Sequence, residues 1–166
     1  MRRILSVLLE NEPGALSRIV GLFSQRAFNI DSLNVAQTDD ATLSRITITT
    51  YGDDQVLEQI TKQVNKLVDV LRVSDLTDRQ HIEREIALVK VLAMNPKTRA
   101  EVKRLSEIFR ADIIDVGKQI YTVQITGDDD KISSFIEILK NETEIIEVVR
   151  SGTVGIARGE KALRGK

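Results

Sequence analysis

Glu10-Asn-Glu-Pro-Gly-Ala-Leu-Ser-Arg18 joins an apolar run, Ile4 to Leu9, to the start of a helical pattern. Pro13 disfavours helix at Glu12 before it, and Gly14 permits backbone angles that other residues resist. Leu16, Ile19, Val20 and Phe23 then recur at i, i+3, i+4 and i+7, one face of a helix. The stretch reads as a strand, a tight polar turn and a helix N-terminus. Free N–H groups at such an end attract a carboxylate. The Asn11 side-chain amide can accept from an ammonium. A turn offering both suits a free α-amino acid; an ordinary strand–helix turn with a glycine cap is the competing reading.

Outward from this turn the pattern is written twice. Ile4–Leu9 predicts a strand, Ala15–Arg26 a helix, Ile30–Ala36 a strand and Leu43–Tyr51 another, with Asp39-Asp40 as the turn between the last two. Gly52-Asp53-Asp54 breaks the run, Val56, Ile60, Val64 and Leu67 mark a helix face, and Val68–Val73 closes as a strand. The order β-α-β-β-α-β is the split-βαβ or ferredoxin-like unit. It returns about 80 residues later. Ile86–Met94, Ile113–Val116, Tyr121–Ile125 and Ile145–Val149 are the strands of the second copy. Helix faces at Val102, Leu105, Ile108 and Phe109, and at Ile132, Phe135, Ile136 and Leu139, complete it. The expected fold is α+β, with two ferredoxin-like units: residues 1–76, a linker over 77–83, and residues 84–166. The carboxylate groups Asp39-Asp40, Asp53-Asp54 and Asp128-Asp129-Asp130 each sit at a turn or a helix start, where acids are favoured by capping and by the helix dipole. The second first-turn, Asn95-Pro-Lys-Thr-Arg99, lacks a glycine, which points to the first half as the effector-binding one.

Composition narrows the function. The 166 residues are 42% hydrophobic and 30% charged, with a net charge of −1, which gives no electrostatic pull on nucleic acid or an anionic membrane. No apolar run approaches the roughly 20 residues of a membrane helix, and no signal peptide is read at Met1. A cytoplasmic protein is expected. Cys is absent and His81 stands alone in a polar stretch, so neither thiol catalysis nor a multi-His metal site is expected. No catalytic residue and no metal ligand is assigned. RNA-recognition modules share this element order but need sheet-face aromatics, and the chain has six aromatic residues in all. Ile86, Leu88 and Leu92 alternate with Ala87, Val89, Val91 and Ala93, and Leu5, Val7 and Leu9 with Ile4 and Leu8. Strands apolar on both faces predict cover from a second domain or subunit.

Asn11 to Arg26, followed by Phe28-Asn-Ile-Asp-Ser-Leu33, resembles the first ACT domain of acetolactate synthase small (regulatory) subunits. Leu43-Ser-Arg-Ile-Thr-Ile48, Lys66-Leu-Val-Asp-Val-Leu71, Glu83 to Val91, Ile108 to Val116 and Arg150 to Gly159 carry the resemblance through nearly the whole chain in order. One departure is Ala27, where the family usually has glycine; a positive φ there would strain Ala27.

The resemblance implies a subunit without an active site or cofactor of its own. It implies a large catalytic partner that uses thiamine diphosphate, Mg²⁺ and FAD, activation of that partner, and feedback inhibition by valine in branched-chain amino-acid synthesis. It also implies a homodimer through edge-to-edge ACT domains. The effector is then held by Asn11, Gly14, Ala15 and Leu16 of one chain and by Asn29 and Ile30 of the other. A stand-alone amino-acid sensor acting on another enzyme or regulator is the alternative.

Overall fold

In a computed structural model residues 1–165 are described, and these residues form two antiparallel sheets and four α-helices. It divides into two compact units: residues from Met1 to Glu83 joined by those from Thr153 on, and Arg84–Gly152.

In the first unit the elements are β1 (Arg2–Glu10), α1 (Ala15–Gln25), β2 (Ser32–Gln37), β3 (Leu43–Tyr51), α2 (Asp54–Asn65) and β4 (Val70–Asp75). The sheet order is β2-β3-β1-β4, all pairs antiparallel, with Arg2 opposite Tyr51 and Glu10 opposite Leu43. Leu5, Val7 and Leu9 alternate onto one face. There they pack with Ile46 and Ile48 against Ala15, Ile19 and Phe23 of α1 and Leu57, Ile60 and Val64 of α2. The sequence puts β2 at Ile30–Ala36; the strand runs from Ser32 to Gln37, its register with β3 beginning at Ser32 opposite Thr49.

The second unit follows the same plan. β5 (His81–Leu92) enters it at Arg84, followed by α3 (Pro96–Ile108), β6 (Asp112–Val116), β7 (Ile120–Gly127), α4 (Asp129–Glu142) and β8 (Ile145–Arg150). The order β6-β7-β5-β8 mirrors the first sheet. Ala87, Val89 and Val91 face Val102 and Leu105 of α3 and Ile132, Phe135 and Leu139 of α4. On the other face Ile86, Leu88 and Val149 stay more than a third exposed.

The tail departs from the expected division. Val154–Ala157 forms β9, which pairs with β5 and belongs with the first unit, not the second. A Cβ at Gly155 would lie 3.0 Å from Leu76 Cδ1 and 3.8 Å from Ile4 Cγ2, so this backbone runs directly over those side chains. Ile4, expected to be covered by a second domain or subunit, is therefore covered by the chain's own C-terminal tail. The expected linker is also structured. Leu76 N–H donates to the Ile4 carbonyl, Thr77 Oγ1 accepts from Ile4 N–H, and His81 begins β5.

Both first helices end alike. Phe28 N–H donates to the Phe23 carbonyl at 2.9 Å and Ala111 N–H to the Ser106 carbonyl at 2.7 Å, six-to-one closures that put the preceding residue in the left-handed region. Those residues are Ala27 (φ 56°) and Arg110 (φ 53°). The strain expected at Ala27 is thus present. A left-handed L-residue costs roughly 1–2 kcal/mol, and the greater freedom of glycine in the unfolded chain returns part of that. Ala27→Gly should stabilise the first unit by about 0.5–1 kcal/mol, seen as a higher urea midpoint with unchanged slope; a lower midpoint would contradict the strain.

Candidate effector site

Three of the four helices begin on a side-chain cap. Asp53 accepts from Val56 N–H, Asn95 from Thr98 N–H and Asp128 from Lys131 N–H, each at 2.9 Å. Helix α1 does not: its cap is Gly14 at φ 86° with no side-chain bond. Ala15 N–H turns back to the Glu12 carbonyl at 3.2 Å, and Arg18 N–H closes on Gly14 O at 3.0 Å. Among the described residues no acceptor meets the Leu16 or Ser17 N–H. Of the expected donors around Gly14–Leu16, Ala15 is therefore committed and Leu16 is open. Ser17, which the sequence reading passed over, is open too.

Asn11 stands at the end of β1. Its backbone N–H donates to the Thr42 carbonyl at 2.8 Å and its Nδ2 to the Ala41 carbonyl at 3.1 Å. Its Oδ1 accepts from Ser44 Oγ at 3.2 Å. The side chain is thus pinned to the β2–β3 turn and keeps one lone pair for another donor. Asp40 stiffens that turn by accepting from the Thr42 hydroxyl and N–H; both bonds hold its carboxyl below the usual range.

Asn29 and Ile30 lie beyond the other end of α1. The Asn29 carbonyl accepts from Thr50 Oγ1 while its side chain is exposed, and Ile30 is half-buried against the core. Eleven helical residues span about 16 Å. Within one chain the fold brings Asn11, Gly14, Ala15 and Leu16 together and holds Asn29 and Ile30 away from them.

An ion pair that the sequence reading did not assign lies against the turn. Arg18 Nε donates to Asp69 Oδ2 at 2.5 Å, and Nη2 reaches toward the Pro13 carbonyl at 3.5 Å. A Cβ on Gly14 would sit 3.0 Å from Arg18 Nη1. The guanidinium therefore occupies the space that the missing side chain leaves. The bond from Arg18 holds the Asp69 carboxyl below the usual carboxylate range, and the same bond raises Arg18. A shallow groove of about 430 Å³ opens beside them, lined by Gly14, Ser17, Arg18, Gly21, Leu22 and Leu67 among others. One signal pointed to Arg18: a cation in the first turn of a helix opposes the helix dipole, so it needs a reason to be there.

The corresponding turn of the second unit is closed. Asn95 caps α3, and Arg99 spends Nε on the Ala93 carbonyl and Nη2 on the Lys118 carbonyl. Among the described residues no group of three or more His, Cys, Asp or Glu side chains could hold a metal, and no helix is long and apolar enough to cross a membrane.

Comparison with known proteins gives a consistent picture. Residues 5–72 match the family model of the AHAS small subunit-like ACT domain, and residues 84–159 that of the small subunit of acetolactate synthase. The acetolactate synthase small subunit of Haemophilus influenzae is 62% identical over 161 residues, 97% of this chain and 98% of that protein. The acetolactate synthase isozyme 3 small subunit of Escherichia coli is 60% identical over 164 residues, 99% of this chain and all of that protein. The crystal structure of the acetolactate synthase small subunit from Thermotoga maritima superposes with a TM-score of 0.85 at 37% identity, covering 97% of this chain and 99% of that one. The chain belongs to the acetolactate synthase small-subunit family, and its first half is an ACT domain of that family's type.

Proposed function

We propose that the chain is the regulatory subunit of an acetolactate synthase: it activates a thiamine-diphosphate-dependent large subunit and makes it sensitive to valine. The observation that carries the reading is the uncapped start of α1, where Gly14 at φ 86° leaves the Leu16 and Ser17 N–H groups open beside Asn11. Two amide donors and a helix dipole suit an α-carboxylate. The remaining acceptor on Asn11 suits an ammonium, and the neutrality of the Asn side chains suits a zwitterion. Asn29 and Ile30 are too far along α1 to join in the same chain, so a second copy supplies them, and the working form is a homodimer through the ACT domains. Thiamine diphosphate, Mg²⁺ and FAD belong to the catalytic partner, and the pair works in the cytoplasm.

Pure chain given pyruvate with all three cofactors should form no acetolactate. Added to the large subunit of its own organism, it should raise the rate several-fold, and valine should then lower it. Turnover by the chain alone, or no effect of the chain on the large subunit, would defeat the reading.

A further inference from the structure

We propose that Arg18, held in place by Asp69, reads the α-carboxylate of the effector together with the open amides of α1. This rests on the effector reading above and adds a specificity-determining residue to it. A guanidinium has five N–H donors in a fixed fork. Here Nε is engaged by Asp69, Nη2 makes a long contact with the Pro13 carbonyl, and Nη1 lies over Gly14 with no acceptor among the described residues. The unused edge of the fork is thus the edge turned to the turn.

The pair is built to keep it there. The Asp69 side chain is only 9% exposed, while that of Arg18 is 45% exposed. The backbone of Asp69 is fixed in turn, because its carbonyl accepts from Glu10 N–H at 2.8 Å, on the strand that leads into the turn. Asp69 is thus a positioning residue and Arg18 the reader. A cation in the first turn opposes the helix dipole when the site is empty. An anion bound at the same end reverses that sign, since it is attracted by the dipole and by the guanidinium together. The groove beside the guanidinium is open on the Gly21 side, where an added Cβ would meet nothing within 4 Å, so a carboxylate can reach it. Gly14 acquires a second role: it leaves room for the guanidinium that reads the ligand.

The test is calorimetric titration of the full chain at low salt with valine and with valinamide, which keeps the amine and side chain but lacks the carboxylate. Wild type should bind valine at least 100-fold more tightly than valinamide. Arg18→Gln should weaken valine about 10- to 100-fold, the worth of one charge-assisted bond, and leave valinamide within threefold of wild type. Asp69→Asn should give a smaller loss for valine in the same sense, because the reader is present but no longer held. Valine affinity within threefold of wild type in Arg18→Gln would overturn the inference and leave the turn itself as the site. Equal losses for valine and valinamide would also overturn it, because they mark a purely structural role. Failure of wild type to bind valine at all would sink both the inference and the reading beneath it.

Discussion

Gly14→Asp should abolish the response to valine while the first unit stays folded. Gly14 is the N-cap of α1, the position that Asp53 and Asp128 hold at α2 and α4. Those carboxylates accept from the N–H three residues on. A carboxylate introduced at Gly14, where the backbone is left-handed and not extended as at Asp53 and Asp128, would stand beside the Leu16 and Ser17 N–H groups, competing for an amide that the effector needs and repelling the effector's own charge. Its Cβ would also arrive 3.0 Å from Arg18 Nη1 and push the guanidinium off the turn. Loss of two charge-assisted bonds is about 3–6 kcal/mol, more than a hundredfold in affinity. The fold should survive, because a left-handed φ at one residue costs roughly 1–2 kcal/mol, a fraction of the roughly 5–15 kcal/mol typical of a folded domain. In the wild-type protein, isoleucine and leucine should bind within about tenfold of valine, since one methylene is worth about 0.8 kcal/mol. Calorimetric titration with valine measures the first effect and a thermal melt checks the second. Unchanged valine affinity in a folded Gly14→Asp protein would remove the turn from the site.

The order within each β-α-β-β-α-β unit was legible in the sequence because each of those elements has a short period or a local stop signal, whereas β9, four residues of the tail, was not. Ile46 and Ile48 against Arg45, Thr47 and Thr49 read directly as a strand with two faces, and Gly52-Asp53 and Gly127-Asp128 as breaks before capped helices. The left-handed Ala27 was legible as a departure from a glycine pattern. What was not legible depends on pairs far apart in the chain. Arg18 meets Asp69 across 51 residues and Arg45 meets the Gly155 carbonyl across 110. Neither separation leaves a trace in local periodicity. Ser17 was passed over for a different reason. Its open N–H is a property of backbone geometry, decided by Ala15 turning back to Glu12 while the next two amides do not. Side-chain type says nothing about that.

The tail supplies the other large effect. A chain ending at Gly152 should keep its second unit and lose stability in its first. Ile4 and Leu76 are 3% and 1% exposed, and the backbone at Gly155 passes over both. Removing the tail also takes Thr153 Oγ1 from Arg2, the Gly155 carbonyl from Arg45 and the Arg158 N–H from the Gln80 carbonyl. Arg45 is half-buried, and burial already lowers its pKa, so losing an acceptor there costs more than at an exposed cation. Full exposure of one such aliphatic side chain is worth about 1.5–3 kcal/mol and each lost bond about 1 kcal/mol. The regained freedom of the chain offsets part of this. The net loss should be about 2–4 kcal/mol, a 30- to 1,000-fold fall in hydrogen-exchange protection along β1. Protection along β7, which pairs with β5 and β6 inside the second unit, should hardly change. Exchange read strand by strand separates the two units, as a single melting curve would not. Gly155→Leu gives an independent check with the tail still attached, because the added side chain would strike Leu76 and lift β9 from the face it covers. If β1 kept full protection in both proteins, the tail would be lying on the sheet without stabilising it, and the cover of Ile4 would have to be sought in a second subunit after all.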